Sequence, residues 1–262
     1  MMYKIDSLVL MTGQPIELKE SAVKIQQPKL KEIALIGESK FFQSMNIFYI
    51  GPEPLAEFIQ NLDTITEGEK KYLIESSTSY DNLLFLMQAS SVGGSADRFH
   101  VVEMTKTVFE LIIPSHKFSF NAEGSVMLLM GRNMSDSIVV DRDLFLVLKD
   151  ICVQIFLLHK FFSSEDKNKL SEAAQKIADR MAEAEEKIKN MNNEGQGDDS
   201  QFSRMLSILG MNKELDYLSN LTIYQLYNQF ERFNLFTNYD QGLRASLAGA
   251  ANVELVDWYK KI

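Results

Sequence analysis

An α+β fold with helices predominating follows from three features of this 262-residue sequence. Apolar residues recur at helical spacing over long stretches, as in Leu144, Leu148, Ile151, Ile155 and Leu158, which follow steps of 4, 3, 4 and 3 residues. Short apolar runs bounded by turn residues, Phe118 to Phe120, Val126 to Met130 and Ile138 to Val140, read as strands. The amino terminus carries a hairpin signature, with apolar runs on either side of the turn-forming Thr12-Gly13-Gln14-Pro15. These features predict an N-terminal mixed domain with a short β-hairpin, a long connecting helix and a small C-terminal helical module.

In chain order, Tyr3, Ile5 and Leu8 to Met11 are predicted to pair as a hairpin with Ala22 to Ile25. Pro28 then stands where a helix begins, and Leu30, Ile33, Ala34 and Ile36 recur at helical spacing as far as Gly37, a natural stop. The apolar block Phe41 to Ile50 ends at Gly51-Pro52-Glu53-Pro54, where two prolines in three residues interrupt any regular element and separate two helices. Leu55, Phe58, Ile59 and Leu62 form one helical face, and the unbroken run Leu83 to Met87 is expected to be buried. Ser90 to Ser95 reads as a loop, followed by a helix that carries Phe99, Val102, Val108, Phe109 and Ile112 and stops at Pro114. After the three strands, Asp141 is a suitable N-cap for a core helix from Arg142 to about Phe161. Together these elements make an N-terminal α+β domain over residues 1–162.

From Ser164 to Asn190 there is neither Gly nor Pro, and nearly every residue favours helix. Leu170, Ala174, Ile177, Met181, Ala184, Ile188 and Met191 recur every 3.5 residues, which predicts a long amphipathic helix over 163–191. Such a seam packs along its own protein more often than on a partner. Self-association through it is the other possibility. Residues 192–200 are polar, contain two glycines and read as a flexible linker. The C-terminal module, 201–262, is dense in aromatics: Thr222 and Gln225 form a capping box, and Tyr224, Tyr227, Phe230 and Phe233, with Leu226, populate a broad apolar face. A second helix is expected around Tyr239 to Leu247, closed by Gly249, with Val253, Leu255, Val256 and Trp258 docking back.

The 27 Lys and Arg against 36 Asp and Glu leave a formal net charge of −9, which argues against a protein whose main task is gripping nucleic acid. A single cysteine, Cys152, cannot form an intramolecular disulfide and fits a reducing compartment. The first residues lack the apolar run of a signal peptide. Leu144 to Leu158 is too short and too interrupted by Lys149, Asp150 and Gln154 to span a bilayer, so no membrane association is expected.

No catalytic or metal-binding constellation is expected either, and no cofactor. His100, His116 and His159 lie far apart in sequence, without a second His at helical spacing. Cys152 sits inside a predicted core helix, where burial makes a thiol inert. Gly93-Gly94 is not followed by the Lys and Ser/Thr of a phosphate loop. Pairs such as Glu165-Asp166 and Glu185-Glu186 fall on solvated faces, where carboxylates keep ordinary acidities. Arg232 beside the aromatic face could stack on a base, yet the same spacing describes a core more readily when Lys and Arg are not clustered nearby. What remains is a chain rich in adaptable apolar side chains, with 13 Met, 17 Phe and 9 Tyr. That composition suits a binder of amphipathic segments as well as a large core.

Two stretches carry a resemblance. VKIQQPKLKEIALIGESKFF, Val23 to Phe42, is similar to the opening of tail assembly chaperones of long-tailed phages that infect Gram-positive hosts. LTIYQLYNQFERFNLFTNYDQGLRASLAGAANVELVDWYKKI, Leu221 to Ile262, resembles the C-terminal module of the same proteins. The middle of the chain, about Tyr49 to Asn220, adds no matching motif. The resemblance implies a non-catalytic protein of the host cytoplasm that coats the tape-measure protein and recruits tail-tube subunits through its C-terminal module. Such a protein is absent from the finished virion. On that reading a tape-measure helix docks in a groove beside the helix that begins at Pro28, with Leu30 and Ile33. Tyr224, Tyr227, Phe230 and Trp258 are candidates for a second contact, or else belong to the core of their module. The competing expectation is a structural tail or baseplate component that stays in the particle.

Overall fold

The computed structural model describes residues 3–18, 23–62, 64–92, 96–162 and 201–250, together with 253, 255 and 257. The expected seam from Leu170 to Met191, the linker 192–200 and Trp258 lie outside the described residues. The fold is α+β and predominantly helical, with one two-stranded and one three-stranded antiparallel sheet. The chain forms two compact units: residues 1–155 with Ser219–Gln225, and residues 156–218 with 226–262.

The first unit opens with helix α1, Ser7–Thr12, where a strand was expected. Its ends explain the correction. The Asp6 carboxylate accepts the Leu8 amide at 2.7 Å as an N-cap, and Gly13 closes the helix at φ +66. The hairpin does form, but its first strand lies after Pro15: β1, Ile16–Glu17, pairs with β2, Lys24–Ile25, in the register Ile16 to Ile25. The buried Gln27 carboxamide donates to the carbonyls of Val9 (2.9 Å) and Gln14 (2.7 Å) and so ties α1 to the segment that leads into the next helix.

That helix, α2 (Leu30–Ile36), ends at Gly37, as the sequence predicts; α3 (Glu38–Met45) follows at once and runs into a 3-10 turn over Asn46–Tyr49. Helix α4 (Glu53–Gln60) carries Pro54 in its first turn, where the missing amide has no helical partner to lose. Helix α5 (Glu67–Ser76) is capped by Thr66 and Glu69 and buries none of its residues. Helix α6 (Ser79–Val92) extends through Ser90 to Val92, where a loop was expected. Helix α7 (Ala96–Ile112) stops before Pro114.

Strands β3 (Lys117–Asn121), β4 (Val126–Met130) and β5 (Ile138–Val140) form the second sheet in that order and match the predicted runs. Alternation along β4 places Met127 and Leu129 in the core. Helix α8 (Arg142–Ile155) starts from Asp141, whose carboxylate accepts the Leu144 amide at 2.8 Å. The predicted single helix to about Phe161 is broken, because Leu157 adopts φ +52 and a separate short helix α9 (Leu158–Phe162) begins there.

The core of the first unit is aromatic. Phe145 on α8 meets Phe48, Tyr80 and Phe109 at centroid distances of 5.5, 5.6 and 6.5 Å, and Phe109 meets Phe118 at 5.6 Å. Helix α8 also holds the amino-terminal segment: the Tyr3 amide donates to Asp150 at 2.9 Å and the Ile5 amide to Gln154 at 3.0 Å.

The second unit contains α9, α10 (Gln201–Gly210), α11 (Leu215–Ser219, apart from its last residue) and α12 (Ile223–Leu247) from Leu226 onward. Helix α12 is one continuous 25-residue helix where two were expected; no proline falls within it, so nothing forces a break at Asn234 to Asn238. Phe202, Met205, Leu209, Leu218 and Leu226 are buried. Lys213 donates to Gln229 (2.9 Å), and Gln229 donates to the Tyr217 hydroxyl (3.0 Å).

Candidate functional site

Helix α2 is short and divides its residues sharply between core and surface. Pro28 just before it and Leu30 and Ile33 on it are buried, so the three residues expected at a docking groove face the core and do not line one. The opposite side of the same helix does border a groove. Glu32, Leu35 and Ile36 of α2 and Lys40 of α3 form one wall, and Thr107, Glu110 and Leu111 of α7 the other, around an open volume of about 440 Å³. Leu35 is 88% exposed, which makes it one of the most solvent-accessible large apolar side chains described. On a helix of 3.6 residues per turn it lies opposite the Leu30 and Ile33 stripe, and an apolar residue on the wrong side of an amphipathic helix is the sequence signal that could have located the groove.

Two of the groove's charged groups are already engaged. The Glu32 carboxylate accepts the Lys29 amide at 2.8 Å and closes the first turn of α2. Glu110 accepts the Lys117 ammonium and the Phe118 amide, both at 3.2 Å, and so links α7 to β3. Lys40 is exposed and has no carboxylate partner among the described residues.

The start of α2 is held by chain that returns from far along the sequence. Lys29 forms an antiparallel bridge with Thr222, and the Leu30 amide donates to the Leu221 carbonyl at 2.9 Å. The capping box predicted at Thr222 and Gln225 is present, with bonds of 2.9 and 3.2 Å, and Gln225 also donates to the Met11 carbonyl at 2.8 Å. Gly13 lies under this contact, since a Cβ there would come within 3.2 Å of the Gln225 amide. Leu221, Thr222 and Ile223 are buried.

Of the aromatic candidates, Tyr224 is half-buried in the first unit, while Tyr227 and Phe230 are half-buried in the second. The Lys160 ammonium lies 4.0 Å from the centre of the Tyr227 ring. Burial, with Glu231 as hydrogen-bond and charge neighbour, pushes the Tyr227 hydroxyl up to about 12.

Burial pushes the Cys152 thiol far above its ordinary range, which leaves it without the thiolate that reactivity requires. Burial also lowers Lys149, whose ammonium faces the Tyr49 ring at 5.4 Å. Ser115 and His116 make a hydrogen bond of 2.9 Å, and the other imidazole nitrogen meets the Asp136 carbonyl at 3.1 Å. This pair pins the start of β3 to the turn that precedes β5. Among the described residues no three His, Cys, Asp or Glu side chains are grouped to hold a metal ion, and no helix is long and apolar enough to cross a membrane.

Residues 194–262 match the family model described as the YomV second domain, a phage-associated family. No curated protein and no solved structure matches the chain.

Proposed function

We propose that this protein is a non-catalytic tail assembly chaperone of a phage, acting in the host cytoplasm, and that it keeps the tape-measure protein soluble by docking its amphipathic helices in the groove between α2 and α7. The observation that carries this reading is the groove itself, where the exposed Leu35 and the half-buried Ile36 and Leu111 present apolar surface framed by charged side chains. Grooves of this make-up suit an amphipathic helix read through residues spaced three and four apart. The match of residues 194–262 to a phage-associated family supports the setting. The resemblance of Val23 to Phe42 and of Leu221 to Ile262 to tail assembly chaperones supports the role. On the same reading the C-terminal module recruits the tail-tube protein, and neither nucleic acid nor membrane is a partner.

The test is co-expression of the full chain with the tape-measure protein of the same genome. The tape-measure protein is expected to become soluble and to co-purify with the chain. If it stays insoluble and the two never co-purify, the chaperone reading fails. Persistence of the protein at fixed copy number in purified virions would favour a structural tail or baseplate component instead.

A further inference from the structure

Helix α8 stops and α9 starts at a residue with no local reason to bend. Leu157 is held at φ +52, in the left-handed region that is strained for any bulky side chain. No glycine or proline lies between Arg142 and Phe162, and the apolar spacing Leu144, Leu148, Ile151, Ile155 and Leu158 runs through the break without a change of period. The boundary between the two compact units falls at the same place, between Ile155 and Phe156. The turn is favoured by burial. Leu157 stands two and a half helical turns beyond Leu148, so in one unbroken helix it would lie opposite the buried stripe, whereas in the turn it is only 8% exposed. Strain at a non-glycine residue and burial of one leucine are of the same order and opposite sign, which is the condition for two states to coexist.

We infer that the α8–α9 joint is a two-state latch over Tyr227. In the closed state the turn at Leu157 sets α9 so that the Lys160 ammonium lies 4.0 Å from the centre of the Tyr227 ring. In the open state residues 142–162 form one continuous helix, Leu157 relaxes to helical dihedrals and Lys160 leaves the ring. Tyr227 cannot follow it. It shares the unbroken helix α12 with Gln225, which donates to the Met11 carbonyl at 2.8 Å, and Thr222 just before that helix bridges Lys29. Opening therefore uncovers one face of a half-buried aromatic ring, and closing hides it. This gating belongs to the chain alone and holds whatever client the α2–α7 groove takes.

The experiment exposes the full chain to hydroxyl radicals and quantifies oxidation of Tyr227 by mass spectrometry, with Tyr80, which packs on Phe145, as the reference for an intact core. Leu157→Gly and Leu157→Ala both remove the buried side chain, but glycine is at ease in the left-handed turn and alanine favours the helix. Oxidation of Tyr227 relative to Tyr80 is expected to be roughly threefold higher in Leu157→Ala than in Leu157→Gly, with the unchanged chain between them. Leu157→Asn and Leu157→Gln repeat the contrast with polar side chains, since asparagine tolerates the turn and glutamine favours helix. That second pair decides the matter if Leu157→Ala raises oxidation of Tyr80 as well, which marks unfolding. A strained but static turn gives a different pattern: Leu157→Gly withstands more urea than Leu157→Ala, yet Tyr227 is oxidised equally in the two. That result, or equal oxidation of Tyr227 in Leu157→Asn and Leu157→Gln, overturns the latch.

Discussion

Asp81 shows how one side chain joins two elements and makes the junction depend on pH. Its Oδ2 accepts the Thr78 amide at 2.8 Å and the Thr78 hydroxyl at 2.7 Å, and its Oδ1 accepts the Arg142 guanidinium at 2.6 Å. The start of α6 is thereby tied to the start of α8. Burial pushes the Asp81 carboxyl up, but the Thr78 bonds and the Arg142 charge more than offset this and hold it below the ordinary carboxylate range. A lowered folded value means that the unfolded chain takes up the proton first as the pH falls. The contribution is therefore complete above the ordinary carboxylate value and lost as the pH drops through the lowered one. Replacing Asp81 by Asn removes the charge and turns a donor toward Arg142, which is expected to cost about 1–3 kcal/mol in urea unfolding at neutral pH. The difference between the two chains should close as the pH is brought below the carboxylate range; a constant difference down to strong acid would show that Asp81 acts by shape alone.

At the scale of elements, the joint between α2 and α3 depends on one dihedral angle. Gly37 closes α2 and opens α3 at φ +90 and ψ 136, and a Cβ built there meets nothing within 4 Å. Gly37→Ala therefore reads backbone strain with no clash, and is expected to cost about 1–3 kcal/mol in urea unfolding. Gly68, in the first turn of α5, likewise has open space around its Cβ position and lacks the positive φ. Gly68→Ala is expected to stabilise by about 0.4–1 kcal/mol, through the unfolded chain. Equal effects of the two substitutions would remove the strain argument. The same contrast explains how far the elements were legible in the sequence. Signals confined to a few neighbouring residues were readable: Gly37 as a stop, Asp141 as a cap, the Thr222 and Gln225 box, and the short apolar runs of β3 to β5. The segment from Leu8 to Met11 was not, because an apolar run beside a Thr-Gly turn fits a strand as well as a short helix. Only the Asp6 cap and the αL Gly13 separate the two. The break at Leu157 was also hidden, since a non-glycine at φ +52 leaves no mark in composition. Leu30 and Ile33 follow the pattern of burial and Leu35 violates it, so the residues expected at a groove beside α2 lie on its buried face.

For the molecule as a whole, the notable feature is that the chain leaves the first unit at Ile155 and returns to it for the seven residues Ser219–Gln225. The linker and capping signals near them predict where modules begin, yet nothing local announces that Leu221 and Thr222 bond to Lys29 and Leu30, nearly 200 positions earlier. The sequence-based division at 192–200 therefore groups with the C-terminal module a segment that completes the N-terminal fold. The consequence is practical, because removing residues 201–262 to test recruitment of the tail-tube protein also strips Leu221, Thr222 and Ile223 from the first unit. Two truncations separate these effects. A chain ending at Gln225 keeps the segment and one ending at Leu218 lacks it, while both lose α12 from Leu226 onward. Burial of Leu221 and Ile223 at about 1.5–3 kcal/mol each predicts that the shorter chain is less stable by about 3–6 kcal/mol, a large share of a domain's total. Urea unfolding followed by circular dichroism should therefore show a clearly lower midpoint for the chain ending at Leu218. A peptide spanning residues 215–232, added in excess, should restore part of the difference by binding the folded form. Coincident midpoints would mean that the return segment decorates the first unit without supporting it, and deletion of 201–262 could then be read as loss of the C-terminal module alone.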